Sequence, residues 1–124
     1  MLLLRVALPA LCALAVLLVL RPASASANPE TTDRARKFLD AHTRKLRPLE
    51  VKANLLWWEA NTTGADEAYK KKIAAQNEID EALADRETFA EVKKLKDERD
   101  KIHDATLRRA IDVVYLQYLE KQVD

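Results

Sequence analysis

Residues 107–124 read LRRAIDVVYLQYLEKQVD, and this stretch gives the clearest indication of the fold class. Its apolar side chains recur at intervals of three or four residues, which is the spacing of one face of an α-helix. The positions in this stripe are Leu107, Ile111, Val114, Tyr115, Tyr118 and Leu119. The stripe is broad enough to require a partner surface, and no glycine, asparagine or proline follows it to stop the helix. We therefore expect the helix to belong to a longer polypeptide that continues beyond residue 124.

Residues 1–27 have the layout of a secretory signal peptide. Arg5 precedes a charge-free apolar segment of 15 residues, which a run of small residues follows. Signal peptidase accepts only small side chains at the two positions that it recognises, which predicts cleavage after Ala25 or Ala27. The alternative is an uncleaved membrane anchor, although a membrane-spanning helix needs about 20 apolar residues. The sequence thus predicts a secreted or periplasmic protein, with membrane contact only if this segment stays attached.

The charge balance argues against a nucleic-acid-binding function. The chain has 21 basic and 20 acidic residues; removal of residues 1–27 takes away Arg5 and Arg21, which leaves 19 basic against 20 acidic residues and a net charge of −1. The short basic run 70–72 is not extended by interleaved aromatic residues. No nucleic-acid partner is therefore expected. The single cysteine, Cys12, leaves with the signal peptide, so no disulfide is expected either.

Residues 28–124 are rich in helix-forming residues. They contain one glycine, Gly64, and two prolines, Pro29 and Pro48, and no segment has the two-residue alternation of a strand. This composition predicts an all-α fold of about four amphipathic helices.

The first helix is predicted to be long. Residues 28–31 are interpreted as a linker, after which Thr32 or Asp33 can cap the helix by accepting a hydrogen bond from a free backbone N–H. The apolar stripe continues past Pro48, although proline removes a backbone donor. One kinked helix is therefore favoured over two helices that meet near Arg47.

Three shorter helices are predicted to follow a loop at residues 61–64. The second spans about residues 66–84, the third about 87–100 after a cap at Asp85, and the fourth begins near residue 105 after a cap at Asp104. The second and third helices carry narrow apolar stripes among many charges. We expect them to form a surface layer over other polypeptide.

No residue of this chain is predicted to be catalytic, to bind a cofactor or to ligate a metal. His42 lies on the apolar stripe of the first helix and His103 lies in a turn, so we expect a packed and a solvated histidine, respectively. Neither histidine belongs to an H-E-x-x-H motif, and no serine remains after residue 27. The carboxylates of the second and third helices are predicted to pair with Lys or Arg three or four residues away. These are Glu78, Asp80, Glu81, Glu87 and Glu91.

Trp57 and Trp58 are adjacent on the first helix, where neighbouring side chains point about 100° apart. Trp57 continues the apolar stripe while Trp58 faces elsewhere. Two interpretations stay open: both side chains pack against further helices, or one lines a ligand cleft. Asn61-Thr62-Thr63 is also a formal glycosylation sequon, usable only where the host glycosylates secreted proteins.

Two stretches of the chain carry a family resemblance. In residues 53–69 the matching positions are Trp58, Ala60, Thr62, Glu67 and Tyr69. In the fourth helix they are Leu107, Arg108, Arg109, Tyr115, Leu116, Tyr118 and Leu119, and in the first helix Ala35, Phe38 and Leu39. Together these residues resemble the amino-terminal region of the angiotensin-converting-enzyme-like zinc peptidyl-dipeptidases, in particular the secreted bacterial members. The resemblance covers most of residues 33–124.

The resemblance implies a mainly helical metallopeptidase with a deep central channel, which removes dipeptides from the C-termini of oligopeptides. In that family an H-E-x-x-H motif and a downstream glutamate hold the zinc that activates the water, and the first helices form a lid over the channel. Within the helical fragment of residues 28–124, residues 33–124 would be this lid and its supporting helices, with an oligopeptide as the partner and zinc expected only in the full-length protein. No zinc ligand, catalytic carboxylate or substrate-anchoring residue of the family has a counterpart here, so the chain by itself is expected to be inactive.

A different hypothesis requires no larger enzyme. The chain would then be a complete, small secreted helical protein that binds a partner through the faces around Trp57 and Tyr115. A third hypothesis is a membrane-anchored helical hairpin. The coding sequence past codon 124 separates the first hypothesis from the others, because only a peptidase requires an H-E-x-x-H motif there.

Overall fold

The computed structural model describes residues 28–122, and this part of the chain is helical throughout, without a strand. Four α-helices follow one another: α1 (Pro29–Thr63), α2 (Asp66–Leu83), α3 (Arg86–Asp97) and α4 (Ala105–Glu120). A 3₁₀ turn, Arg99–Lys101, lies between α3 and α4. The predicted all-α class with four helices is confirmed.

The predicted signal peptide, residues 1–27, lies outside the described residues. Between residues 28 and 122, every helix is too short or too polar to cross a membrane.

The predicted start of α1 is wrong by about one turn. The cap is Asn28, whose side-chain oxygen accepts the N–H of Glu30 at 2.9 Å. Pro29 takes the first helical position, where a missing N–H costs nothing because that group has no partner inside the helix. The segment interpreted as a linker is therefore the first turn of α1.

Thr32 does not cap α1, because its hydroxyl serves another contact. The hydroxyl donates to the carbonyl of Asn28 at 3.1 Å and accepts the N–H of His103 at 2.9 Å. The N–H of Asn28 in turn donates to the carbonyl of Lys101 at 2.8 Å. These bonds join the start of α1 to the turn that precedes α4, and Thr32 is buried there.

α1 is one continuous helix through Pro48, as the uninterrupted apolar stripe predicted. It also extends through residues 61–63, which were expected to form a loop. Gly64 ends it in the left-handed conformation, at φ 65°, and donates its N–H to the carbonyl of Ala60 at 3.0 Å. The connection to α2 is thus only Gly64 and Ala65.

α2 runs antiparallel to the C-terminal half of α1, and we call these two segments, residues 47–63 and 66–83, the hairpin. The Nζ atom of Lys52 lies 2.5 Å from Oε1 of Glu78 across the two helices.

α3 and α4 pack on the N-terminal half of α1, and we call this three-helix part the bundle. Arg34 near the start of α1 pairs with Glu98 just after α3, at 3.0 Å, so α3 runs antiparallel to α1. α4 returns in the direction of α1 and ends at the junction with the hairpin, where the side chain of Gln122 donates to the carbonyl of Leu83 at 3.1 Å.

The hydrophobic core lies in the bundle and at this junction. Its buried side chains come from all four helices and from the residue that follows the 3₁₀ turn: Ala35, Phe38, Leu46, Leu83, Val92, Leu95, Ile102, Ile111, Val114 and Tyr118. Val92 and Leu95 of α3 are completely buried. The prediction that the third helix is only a surface layer is therefore wrong, because its narrow stripe closes the bundle.

Both predicted aspartate caps are confirmed. The carboxylate of Asp85 accepts the N–H of Thr88 at 3.1 Å, and that of Asp104 accepts the N–H groups of Thr106 and Leu107 at 2.7 and 3.2 Å. These short polar signals fix where α3 and α4 begin.

Candidate functional site

Small side chains hold the two helices of the hairpin together. Ala60 of α1 and Ala68 and Ala75 of α2 are the buried residues beyond the junction, and we call them the alanine seam. Helices that meet through alanine approach more closely than helices that meet through leucine. Larger side chains on either side of the seam are therefore left on the surface.

Both tryptophans are such surface residues. Trp57 is 52% exposed and Trp58 65% exposed. The helices of residues 28–122 bury neither ring, so the interpretation that both pack against further helices stays a prediction, and Trp57 does not join the buried stripe. The alternative interpretation, that one tryptophan lines a cleft, describes Trp57.

A groove of about 210 Å³ runs beside Trp57 between α1 and α2. We call it the Trp57 groove. Its lining consists of apolar and amide side chains and one lysine: Ala53, Asn54, Trp57, Lys72, Ile73, Gln76 and Asn77. Ile73 is 58% exposed, an unusual state for a side chain of its size in a helix interior. The groove thus combines accessible apolar surface with several groups that can form hydrogen bonds.

The polar groups of the Trp57 groove suit a peptide chain. A side-chain amide both donates and accepts hydrogen bonds, as a peptide group does. The side-chain amide of Gln76 donates to Asp80 at 3.1 Å, which leaves its carbonyl oxygen as an acceptor. The ammonium group of Lys72 lies 5.6 Å from the centre of the Tyr69 ring and supplies a positive charge at the edge. Such a surface can hold an extended peptide and attract a carboxylate.

His42 is a packed histidine, as predicted. Its ring stacks on Phe38 with centroids 6.5 Å apart, and its Nδ1 atom lies 3.3 Å from the hydroxyl of Tyr118. Burial lowers the pKa of His42; nearby Glu50 raises it and Lys45 lowers it further. Burial also raises the pKa of the Tyr118 hydroxyl. The cluster therefore keeps both side chains neutral at neutral pH, which suits a structural contact.

A second cavity, of about 240 Å³, lies beside this histidine. Its lining includes Lys45, Thr88 and Glu91 together with His42 and Tyr118. It opens between α1 and α3, where the aromatic cluster forms its inner wall.

His103 lies exposed in the turn before α4, as predicted, at a concavity of about 400 Å³ where α1 and α4 begin. The polar side chains there already have partners. Arg36 pairs with Asp33 at 3.0 Å, and Asp104 caps α4. This concavity therefore offers fewer free polar groups than the Trp57 groove does.

Three carboxylates, those of Asp85, Glu98 and Asp104, do not have the raised pKa of an acid catalyst. Hydrogen bonds from Thr88 lower the pKa of Asp85, Arg34 lowers that of Glu98, and backbone N–H groups lower that of Asp104. Acid catalysis at neutral pH requires the opposite shift.

Two carboxylates of α2, Glu78 and Asp80, pair differently from the prediction. Glu78 pairs with Lys52 of α1, and Asp80 pairs with Lys121 beyond α4 at 3.2 Å. These ion pairs join separate helices rather than neighbouring turns of one helix. The hydrogen bond that Lys121 donates to the carboxylate of Asp80 raises the pKa of Lys121.

The remaining sequence features lie on the surface of the hairpin. Asn61 is exposed at the end of α1, where its side-chain amide donates to the carbonyl of Trp57 at 2.6 Å. The basic run 70–72 divides between two environments, because Lys72 is partly buried beside Tyr69 while Lys70 points to solvent. Within residues 28–122, no three His, Cys, Asp or Glu side chains are grouped to hold a metal.

No protein-family model, curated protein or solved structure matches this chain.

Proposed function

We propose that this chain supplies the lid of a secreted or periplasmic zinc-dependent peptidyl-dipeptidase, and that the Trp57 groove contacts its oligopeptide substrate. The observation that carries the proposal is the exposure of Trp57 and Ile73 beside three side-chain amides and Lys72. This combination matches the chemistry of a peptide that ends in a free carboxylate. The groove lies on the first two helices, which is where the resemblance puts the lid.

In this proposal the chain binds the substrate, and polypeptide beyond it carries out the hydrolysis. Residues 28–122 offer no set of side chains suited to zinc, so no step of hydrolysis is assigned to them. Their contribution is binding: Trp57 and Ile73 cover apolar substrate side chains, and the amides of Asn54 and Gln76 hold the peptide backbone. Zinc and the activated water would belong to polypeptide beyond this chain.

The decisive experiment uses the native product of the gene. We expect it to extend past residue 124, to contain an H-E-x-x-H motif and to release dipeptides from the C-terminus of an oligopeptide in a chelator-sensitive reaction. A product that ends at Asp124, or that lacks dipeptide release when loaded with zinc, contradicts the proposal.

The Trp57 groove has its own test in the same enzyme. Trp57→Ala should raise KM about threefold to tenfold with little change in kcat, because the ring binds substrate and transition state alike. Leu116→Ala, which alters an exposed apolar side chain of α4, is the control and should leave KM unchanged. Equal KM values for the two variants would remove the groove from the proposal.

A second candidate is a complete small secreted protein that binds its partner through the Trp57 side. The buried core of the bundle favours it, because Leu95, Ile111 and Tyr118 are completely covered by the chain's own residues. Tyr115 is less suited to binding, since it stacks on Phe89 with centroids 5.9 Å apart. Sharp two-state thermal unfolding of residues 28–124 would favour this candidate over the lid.

A further inference from the structure

The ion pair between Lys52 and Glu78 shows how the two helices of the hairpin align. Its two atoms are 2.5 Å apart across antiparallel helices, so the two residues lie at about the same level. Five residues closer to the turn at Gly64 are Trp57 on α1 and Ile73 on α2. These two exposed apolar side chains therefore face each other across the end of the groove that is nearer to the turn.

The side-chain amides of the Trp57 groove lie one helical turn away from this apolar end. They are Asn54, Gln76 and Asn77. Each is three or four residues nearer to the junction than Trp57 or Ile73, which corresponds to about 5–6 Å along the helix axis. Lys72 precedes Ile73 in the chain and belongs to the apolar end. The groove thus has one end with apolar side chains and a cation, and a second end with three amides.

Within residues 28–122, Lys72 is the only charged side chain that lines the Trp57 groove. Its ammonium group forms no ion pair with a carboxylate of the same range. Asp80, which accepts the hydrogen bond from Gln76, is already paired with Lys121 at 3.2 Å. The groove therefore carries a positive charge that is free to meet a carboxylate of a bound molecule.

Tyr69 restricts the position of this charge. Its ring lies one turn before Lys72 on α2, with the ammonium group 5.6 Å from the ring centre. Contact with an aromatic face stabilises a cation by about 0.5–1 kcal/mol at an exposed site. Lys72 is also partly buried, whereas the neighbouring Lys70 and Lys71 are exposed. A cation that is held in place before binding loses less conformational entropy when a ligand arrives.

We propose that Lys72 anchors a carboxylate of the bound peptide and thereby sets the direction in which the peptide lies. The carboxylate binds at the apolar end, beside a peptide side chain that packs between Trp57 and Ile73. The peptide backbone then runs towards the junction, over the three amides. The groove selects peptides in which a carboxylate lies next to an apolar side chain, and Lys72 is the residue that determines this specificity.

This role of Lys72 rests on the proposed function, because it requires that the Trp57 groove bind a peptide. It adds a direction of binding, a specificity-determining residue and a positioning residue, Tyr69. A peptide with a basic side chain at the same place is disfavoured, because like charges repel.

The first test measures the binding of three N-terminally fluorescent peptides by anisotropy, with a chelator present so that none is cleaved. The peptides share one apolar sequence and carry a free carboxyl end, an amidated end, or an amidated end beside an aspartate. The native secreted protein should bind a carboxylate peptide about threefold to tenfold more tightly than the neutral peptide. Comparison of the two carboxylate peptides identifies the chain end or the side chain as the source. Equal affinity for all three peptides overturns the proposal.

Lysine variants assign the preference to one residue. Lys72→Met should remove the preference for a carboxylate, and Lys72→Arg should keep it because arginine restores the charge. Lys71→Met is the matched control, since Lys71 is exposed on α2 and does not line the groove. It should bind the three peptides as the wild type does. A full preference in Lys72→Met contradicts the role of Lys72.

Variants of Tyr69 test the positioning role. Tyr69→Leu should reduce the preference for a carboxylate, whereas Tyr69→Phe should retain it because the phenylalanine ring still attracts the ammonium group. An equal loss in both variants would assign the effect to the hydroxyl group and overturn the positioning role.

Trp57→Ala separates the failure of this role from the failure of the proposed function. The variant should bind all three peptides more weakly by a similar factor, so that the preference is unchanged. Unaltered affinities in Trp57→Ala would remove the groove from the proposed function, and the role of Lys72 with it. Weaker binding in Trp57→Ala combined with an unchanged preference in Lys72→Met would overturn the role of Lys72 alone.

Discussion

The pair formed by His42 and Tyr118 gives the protein a pH-dependent stability. Burial lowers the pKa of His42 below its ordinary value of 6.5, so the unfolded chain binds the proton more readily than the folded chain does. The neutral His42 therefore makes its full contribution to the free energy of unfolding above pH 6.5. This contribution declines as the pH falls through 6.5 towards the lower pKa of the folded protein. Asp85, Glu98 and Asp104 have lowered pKa values, so they stabilise the fold when ionised. That stabilisation is lost at lower pH, as the pH falls below the ordinary pKa of a carboxyl group.

Urea unfolding at pH 7.5 and at pH 5.5 tests this expectation. The wild-type protein should be less stable at pH 5.5, and His42→Gln should lose most of that difference because it cannot take up the proton. His103→Gln, which alters the exposed histidine, should keep the wild-type dependence. The same pH dependence in His42→Gln as in the wild type would assign the effect to other groups.

At the scale of single elements, the connection between α1 and α2 depends on one backbone conformation. Gly64 has φ 65°, and a Cβ atom added there would meet nothing within 4 Å. Gly64→Ala should therefore destabilise the protein by about 1–2 kcal/mol through backbone strain alone. Gly64→Asn should cost less, because asparagine adopts this conformation more readily. Chemical denaturation measures both, and an alanine variant as stable as the wild type would contradict the strain argument.

The helices differ in how far the sequence predicts them. α2, α3 and α4 begin within one residue of their predicted positions, because Gly64, Asp85 and Asp104 act through local hydrogen bonds and dihedral angles. The start of α1 was missed because Asn28 and Thr32 both resemble caps. Only the fold decides between them, since it brings His103 to the hydroxyl of Thr32.

The Trp57 groove was predictable only as an alternative. The periodicity placed Trp57 on the buried stripe, and helical phase alone cannot show that the facing positions of α2 are alanines in close contact. The stretch Ala68 to Ala75 could have indicated a close helix pair, because its inward positions are small. Exposure of the large residues beside it is then a consequence of three-dimensional packing.

At the scale of the whole molecule, the two halves should differ in stability. The large buried side chains lie in the bundle and at the junction, whereas the hairpin beyond the junction buries only alanines. Burial of a methyl group contributes only about 0.8 kcal/mol, so the distal hairpin gains little from its seam. Native-state hydrogen exchange should show residues 54–63 and 66–75 opening at lower free energy than residues 108–118.

Equal opening free energies in the two halves would mean that the molecule unfolds as one cooperative unit. The bundle alone would then not account for the stability.

α1 belongs to both halves, and this has a mechanical consequence. Its 35 residues make a rod of roughly 52 Å, within which Pro48 leaves the carbonyl of Arg44 without its usual N–H partner. Flexure is easiest at that turn, which coincides with the end of the bundle. From there to Thr63 the rod extends about 22 Å, so a bend of about 10° would swing the far end by roughly 4 Å. The missing N–H of Pro48 thereby sets the point at which α1 can bend. The surface around Trp57 and Trp58 can tilt about that point while the helix stays intact.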